Sequence, residues 1–128
     1  MRRRFPRLKS YVRRKPGEMN TLEAAYAKAL DGRKLNGEVA DWWFESMKFK
    51  LADKTWYTPD FIVVLADGTL QIHETKGFMM EDAAIKLKIT SALYWAHEVV
   101  LITRKRGTWM YRNVSQNGLG KGRAAEGT

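Results

Sequence analysis

The chain has 128 residues, of which 45% are hydrophobic and 29% are charged, and its formal net charge is +9. This length fits one domain, and the composition is globular, which excludes a wholly disordered chain. The sequence has no cysteine and two histidines, which excludes a disulfide framework and the usual zinc sites. No apolar run approaches the roughly 20 residues of a membrane span, and the basic N-terminal segment lacks the apolar stretch of a signal peptide. We therefore expect a cytoplasmic protein that is neither secreted nor inserted in a membrane.

The charge is unevenly distributed along the chain. Residues 1–18 carry eight basic side chains and one acid, a net charge of +7, and residues 104–128 carry a net +5. The segment between them has a net charge of −3. Proline and glycine near the ends predict a flexible basic arm over 1–19 and a flexible Gly-rich tail over 115–128, around a core domain over 20–114. Basic ends of this kind neutralise phosphates, so a nucleic acid is the expected partner.

The first predicted element is a helix over residues 21–31, where apolar side chains recur at helical spacing. Asn20 is a suitable N-cap, Glu23 occupies the third helical position, and Gly32 is expected to end the helix. The aromatic-rich segment 41–51 follows, with an alternation of apolar and polar residues that slips midway. It predicts one strand with an irregularity.

Two further strands come next. Residues 61–65 are apolar at every position, which predicts a central strand covered on both faces. Residues 69–76 alternate instead, which places Glu74 and Lys76 on one face and His73 on the other.

The last third of the chain predicts a helix over 81–96 and strands over 99–103 and 108–114, the last at a sheet edge. A strand, a connecting helix and another strand indicate a parallel pair. The predicted fold is therefore α/β, a small mixed sheet flanked by helices in the order α-β-β-β-α-β-β.

The loop between the strands at 61–65 and 69–76 decides which side chains face each other. A two-residue loop would place Asp60 opposite Thr75. A three-residue loop, with glycine left-handed at its third position, would place Asp60 opposite Glu74, with their Cβ atoms about 4.5–5.5 Å apart. Glycine suits that left-handed position, so we predict the three-residue loop.

The stretches YTPDF at 57–61 and ETKG at 74–77 carry the most specific chemistry. Cleaving a phosphodiester requires a divalent cation, and carboxylate oxygens suit Mg²⁺. Asp60 and Glu74 are two such ligands, and Lys76 can stabilise negative charge that develops on phosphorus. Taken separately, these patterns are not specific. A proline-aspartate pair is common in turns, and a Glu-x-Lys pattern is common on solvent-exposed strands. Together, with basic ends, they predict a magnesium-dependent nuclease.

These stretches, with Leu22-Glu23, resemble the PD-(D/E)xK nuclease superfamily, and more closely the phage endonuclease I family of Holliday junction resolvases. The resemblance implies a restriction-endonuclease-like core and a phage-encoded endonuclease that cuts branched or structured DNA during replication, recombination or packaging. Mg²⁺ is the implied cofactor, with Mn²⁺ able to substitute, and a homodimer is an expected assembly.

The resemblance also implies the roles of individual residues. Asp60, Glu74, Glu23 and the backbone carbonyl of Thr75 would hold the metal, and Lys76 would lie beside the scissile phosphate. Glu23 has a second interpretation, because a Glu three residues after an Asn cap forms a capping box that stabilises the helix.

Basic side chains on the arm, the second helix and the basic turn are the candidate contacts to the DNA backbone. They are Arg2, Arg3, Arg4, Arg7, Arg13, Arg14, Lys86, Lys88, Arg104, Lys105 and Arg106. The tryptophans are interpreted as packing groups rather than base-stacking platforms, with a DNA contact left open for Trp109. The alternative function is a non-catalytic nucleic-acid-binding or assembly protein that retains a nuclease-like fold.

Overall fold

The computed structural model describes residues 17–76 and 81–114, with residues 81–83 as backbone only. Within these ranges the chain forms two helices and seven strands. In chain order they are α1 (Thr21–Leu35), β1 (Val39–Phe44), β2 (Phe49–Ala52), β3 (Thr55–Tyr57), β4 (Phe61–Leu65), β5 (Leu70–Thr75), α2 (Glu81–Leu93), β6 (Glu98–Lys105) and β7 (Thr108–Asn113). The predicted tail, and the predicted arm apart from residues 17–19, lie outside the described residues.

The strands form a mixed five-stranded sheet in the order β1-β4-β5-β6-β7 and a separate two-stranded ribbon, β2-β3. β5 and β6 are parallel, while the other neighbouring strands of the sheet are antiparallel. Since α2 lies between β5 and β6 in the chain, the predicted strand-helix-strand unit is confirmed, as is the general α/β class. The predicted order of seven elements is wrong, because two additional strands precede β4.

The segment 41–51 is two strands rather than one irregular strand. Glu45 has a positive φ of 49°, which turns the chain out of the sheet at that residue. Before this break, β1 pairs with β4; after it, β2 pairs with β3 in the ribbon. The slip in the sequence pattern therefore marks the end of a strand.

α1 continues to Leu35, four residues beyond its predicted end. Gly32 stays helical, and its carbonyl accepts a hydrogen bond from the N–H of Asn36 at 3.1 Å. The left-handed residue that follows the helix is Gly37, with φ 91°. The expected stop at Gly32 is thus wrong because a later glycine supplies the C-terminal turn.

The two helices cover opposite faces of the sheet. Successive residues of β4 point to opposite sides. Phe61 and Val63 belong to a core that includes Tyr26 of α1. Ile62, between them, belongs to a second core that includes Leu87 of α2 and two side chains of the ribbon. β4 is therefore covered on both faces, as its uninterrupted apolar sequence predicts.

α2 ends at Leu93, three residues before its predicted end, and the face that packs on the sheet is partly polar. Its buried side chains include Leu87, Thr90 and Ser91. The two hydroxyls donate to backbone carbonyls of the preceding turn, at 2.7 and 3.0 Å, which satisfies them without water. Several apolar side chains of α2 are exposed instead: Ile85, Ile89, Ala92 and Leu93.

Candidate active site

The loop between β4 and β5 has the predicted three-residue form. The N–H of Leu65 donates to the carbonyl of Thr69 at 2.8 Å, and the N–H of Gly68 donates to the carbonyl of Leu65 at 2.9 Å. Gly68 has the left-handed φ of 92° that this loop requires. The ladder between the strands keeps the same register. The next facing pair beyond the ladder is therefore Asp60 and Glu74.

Asp60 is buried, 8% exposed, and is fixed from β5. Its Oδ2 accepts hydrogen bonds from the backbone N–H of Thr75 at 2.9 Å and from the Thr75 hydroxyl at 2.7 Å. In the same register, Pro59 faces Thr75. Because proline has no N–H, this position of the ladder offers no backbone donor to the Thr75 carbonyl, the fourth ligand that the resemblance implies.

Glu74 reaches back toward the start of β4. Its Oε1 accepts hydrogen bonds from the backbone N–H of Asp60, at 3.2 Å, and from the hydroxyl of Tyr57. Tyr57 is buried in the ribbon, 6% exposed, so its hydroxyl holds the Glu74 carboxyl from the side of α2. Sequence reasoning included Tyr57 in the YTPDF stretch but assigned it no role, because its contact depends on how the ribbon folds over the sheet.

Glu23 forms the capping box considered for it, and its carboxyl also lies near Asp60. The N–H of Asn20 donates to Glu23 Oε1 at 2.8 Å, and the N–H of Glu23 donates to Asn20 Oδ1 at 2.7 Å, so the capping box is present. The same carboxyl lies close enough to Asp60 for the charge of Asp60 to contribute, after burial, to its raised pKa. The N-terminus of α1 therefore brings a third acid to the pair from β4 and β5.

Glu45 is a fourth acid of the cluster, and sequence reasoning missed it. Its backbone N–H donates to the carbonyl of Asp60 at 2.8 Å, and its charge adds to the burial that raises the pKa values of Glu23 and Asp60. The slip in the 41–51 pattern was the available signal, since it marks the left-handed turn at Glu45.

Burial and mutual repulsion raise the pKa values of the cluster. Burial, followed by the charge of Asp60, raises the pKa of Glu74 to about 8. Burial raises the pKa of Glu23 to about 7, with a further contribution from Asp60. Burial also raises the pKa of Asp60. In the described part of the chain, no lysine or arginine forms an ion pair with these three carboxyls. An added cation would therefore stabilise their ionised forms.

The three candidate lysines, Lys76, Lys86 and Lys88, do not lie together in the way that the acids do. Lys76 follows the end of β5, where its backbone N–H donates to the carbonyl of Ile102 at 2.8 Å, and its side chain is half-buried. Lys86 donates to the backbone carbonyl of Trp56 at 3.3 Å, and Lys88 is exposed. Among the described residues, none of these ammonium groups contacts the carboxyls of Asp60, Glu74 or Glu23.

The basic turn between β6 and β7 lies at the same end of the sheet as the carboxyl cluster. Thr75, at the end of β5, pairs with Ile102 in the parallel strand, and residues 104–106 continue beyond it. These three side chains are exposed, and the Arg104 guanidinium lies 4.5 Å from the ring centre of Trp109. The predicted phosphate contacts of this turn thus lie at the same end of the sheet as the acids, whereas those at residues 2–14 lie outside the described residues.

His73 faces away from Glu74, as strand alternation predicts. It is 1% exposed, and burial lowers its pKa to about 3, so the ring is neutral. Its Nδ1 lies 2.7 Å from the Tyr26 hydroxyl and its Nε2 lies 2.8 Å from Gln71 Oε1. These contacts assign His73 to the core on the α1 side and not to the acid cluster.

The donor set is partly suited to a divalent cation. Backbone and hydroxyl donors engage one oxygen of each carboxyl, namely Glu23 Oε1, Asp60 Oδ2 and Glu74 Oε1. The second oxygens and the Thr75 carbonyl are the hard ligands that Mg²⁺ prefers. In the described ranges, however, no three His, Cys, Asp or Glu side chains already stand in an arrangement that could hold a metal ion. Binding would therefore require the second oxygens to converge.

The raised pKa values predict a pH-dependent stability. Between the ordinary value of about 4.3 and the folded values of about 7 and 8, the folded state retains protons that the unfolded state has lost. In EDTA, the melting temperature should therefore fall as the pH rises from about 5 to about 8. Mg²⁺ should raise the melting temperature, and more so at the upper pH, where the carboxyls ionise.

Thermal unfolding followed by circular dichroism measures both effects. Glu74→Gln is the matched variant, because it removes one of the acids with a raised pKa and should make the melting temperature in EDTA fall less with pH. A melting temperature that rises over this range in EDTA, or a Mg²⁺ shift that Glu74→Gln leaves intact, would contradict the prediction.

Comparison with protein-family models, with curated proteins and with solved structures finds no match in any of the three. In the described part of the chain, neither helix has the length and apolar character to cross a membrane.

Proposed function

We propose that the protein is a metal-dependent DNA endonuclease. The observation that carries the proposal is the register that sets Asp60 opposite Glu74, with Glu23 of α1 against Asp60. Two buried acids and a third that is half-buried, with no cationic partner in the described ranges, are costly to ionise, which favours a bound cation over a purely structural role. The exposed basic turn at the same sheet end supports an anionic substrate.

The residues of the chain have distinct roles in this proposal. Asp60 and Glu74 hold Mg²⁺, together with Glu23 and the Thr75 carbonyl. When bound, Mg²⁺ polarises the phosphoryl oxygen and lowers the pKa of a water molecule. Lys76 stabilises the negative charge that develops on the phosphate. The hydrogen bonds from Thr75 to Asp60 and from backbone and ribbon to Glu74 fix the two carboxyls before the substrate arrives.

The proposed substrate is branched or structured DNA, on the strength of the resemblance to junction resolvases. The test is to incubate the full chain with a four-way junction, a nicked duplex and a linear duplex, each with Mg²⁺, with Mn²⁺ or with EDTA. We expect cleavage with either metal, fastest on the junction, and none in EDTA. Cleavage that persists in EDTA, or intact DNA under every condition, would refute the proposal.

A non-catalytic nucleic-acid-binding or assembly protein is the second candidate. It is favoured by the lack, among the described residues, of a ready-made three-residue metal group. Isothermal titration calorimetry with Mg²⁺ separates the two candidates. A nuclease should bind the ion, and the Asp60→Asn variant should no longer bind it. A passive binder should show no such binding.

A further inference from the structure

The outer face of the β2-β3 ribbon carries an exposed tryptophan beside lysines. Phe49 and Tyr57 point inward to the core between the ribbon, α2 and the sheet. Strand alternation turns their neighbours Lys50 and Trp56, which face each other across the ribbon, to the outside. Trp56 is 46% exposed, so the interpretation of this tryptophan as a packing group is wrong.

Three lysines converge on Trp56. The ammonium nitrogens of Lys48 and Lys50 lie 5.3 and 6.0 Å from the centre of its ring. Lys86 of α2 donates to the backbone carbonyl of the same residue at 3.3 Å. The two like charges over the exposed indole repel each other, and in the described ranges no carboxylate forms an ion pair with any of the three lysines. A polyanion would offset this repulsion.

The same ribbon also contacts the carboxyl cluster. Tyr57 follows Trp56 directly, points to the opposite side, and donates its hydroxyl to Glu74. The exposed indole is thus one residue along the chain from a side chain that holds a proposed metal ligand. The ribbon therefore links the exposed indole on its outer face to the carboxyl cluster on its inner side.

We propose that Trp56, Lys48 and Lys50 form a binding surface for a single-stranded segment of DNA next to the cleavage site. An unpaired base stacks on the indole, and the lysines contact the adjoining phosphates. The bases of an intact duplex are stacked on one another and cannot use this platform. The inference rests on the proposed function for the identity of the polymer, and it adds a preference for DNA with unpaired nucleotides near the cut.

The first test measures binding of the full chain in EDTA to a labelled single-stranded DNA of mixed sequence and to a duplex of the same length. Trp56→Ala should weaken single-strand binding about tenfold and leave duplex binding nearly unchanged. Trp56→Phe, which keeps an aromatic face, should retain most of the affinity. Trp95→Ala is the matched control, because Trp95 is 67% exposed and lies beyond α2. It should change neither affinity.

The second test measures how much Lys48 and Lys50 contribute to the salt dependence of single-strand binding. Replacing Lys48 and Lys50 by glutamine should reduce the slope of log K against log salt by about 0.7 for each phosphate of single-stranded DNA that the variant no longer neutralises. Lys28→Gln, an exposed lysine on α1, should leave the slope unchanged. Melting temperatures equal to that of the parent chain show that each variant is folded.

The inference is overturned if the chain does not bind single-stranded DNA, or if folded Trp56→Ala binds it as well as the parent chain does. It is also overturned if Trp95→Ala weakens this binding as much as Trp56→Ala. Failure of the proposed function gives a different result. If the chain binds single strands through Trp56 but cuts no DNA with Mg²⁺, the binding surface is supported and the endonuclease proposal is refuted.

Discussion

Replacing Asp60 by asparagine, or Glu74 by glutamine, is expected to reduce Mg²⁺-dependent cleavage about 1,000-fold or more, while DNA binding in EDTA is unchanged. The reason is that the metal supplies several kcal/mol of transition-state stabilisation, all of which disappears when the ion is not held. Each substitution removes a negative charge but keeps the shape of the side chain. Initial rates on the best-cleaved substrate, at saturating Mg²⁺, measure the loss.

Neither substitution is expected to unfold the protein. The asparagine retains an oxygen for the two donors of Thr75, and the glutamine retains one for Tyr57. Since burial raises the pKa values of both acids, the neutral variants should melt no lower than the parent chain in EDTA. Asp53→Asn, in the exposed ribbon turn, is the matched control and should cut normally. Normal cutting by Asp60→Asn or Glu74→Gln would remove that residue from the proposed site.

The facing of Asp60 and Glu74 could be predicted from sequence because it depends on one local choice. The loop has either two or three residues, and the left-handed preference of Gly68 selects the longer form. Once that choice is made, strand alternation carries the register along both strands to the acids. The capping box of Glu23 was likewise predictable, since it involves residues three positions apart.

Other features depend on contacts between distant parts of the chain, and these were predicted poorly. The spacing of Ile85 and Ile89 shows that they share a face of α2, but not that this face points outward. Trp56 is exposed and Tyr57 is buried because the ribbon folds over the second core, after the chain turns at Glu45. Aromatic content alone does not distinguish the two, because the sheet and the ribbon use the same residue types.

Lys76→Ala is expected to lower kcat about 100-fold or more, with Mg²⁺ affinity and DNA affinity little changed. The backbone N–H of Lys76 donates to the carbonyl of Ile102, which fixes the position of its Cα one residue beyond Thr75. Its ammonium does not pair with the three carboxyls in the described ranges, so it is available to a phosphate. An interaction made only in the transition state lowers kcat and kcat/KM equally.

Single-turnover cleavage and equilibrium binding separate this role from a structural one. Lys28→Ala, an exposed lysine on α1, is the matched control and should cut at nearly the parent rate. Lys76→Arg keeps the positive charge and should recover part of the loss. A lower melting temperature with weakened Mg²⁺ binding in Lys76→Ala would instead indicate that the lysine maintains the fold of the cluster. Cleavage at the parent rate would exclude Lys76 from the reaction, and the developing charge would then depend on the metal and the basic turn at 104–106.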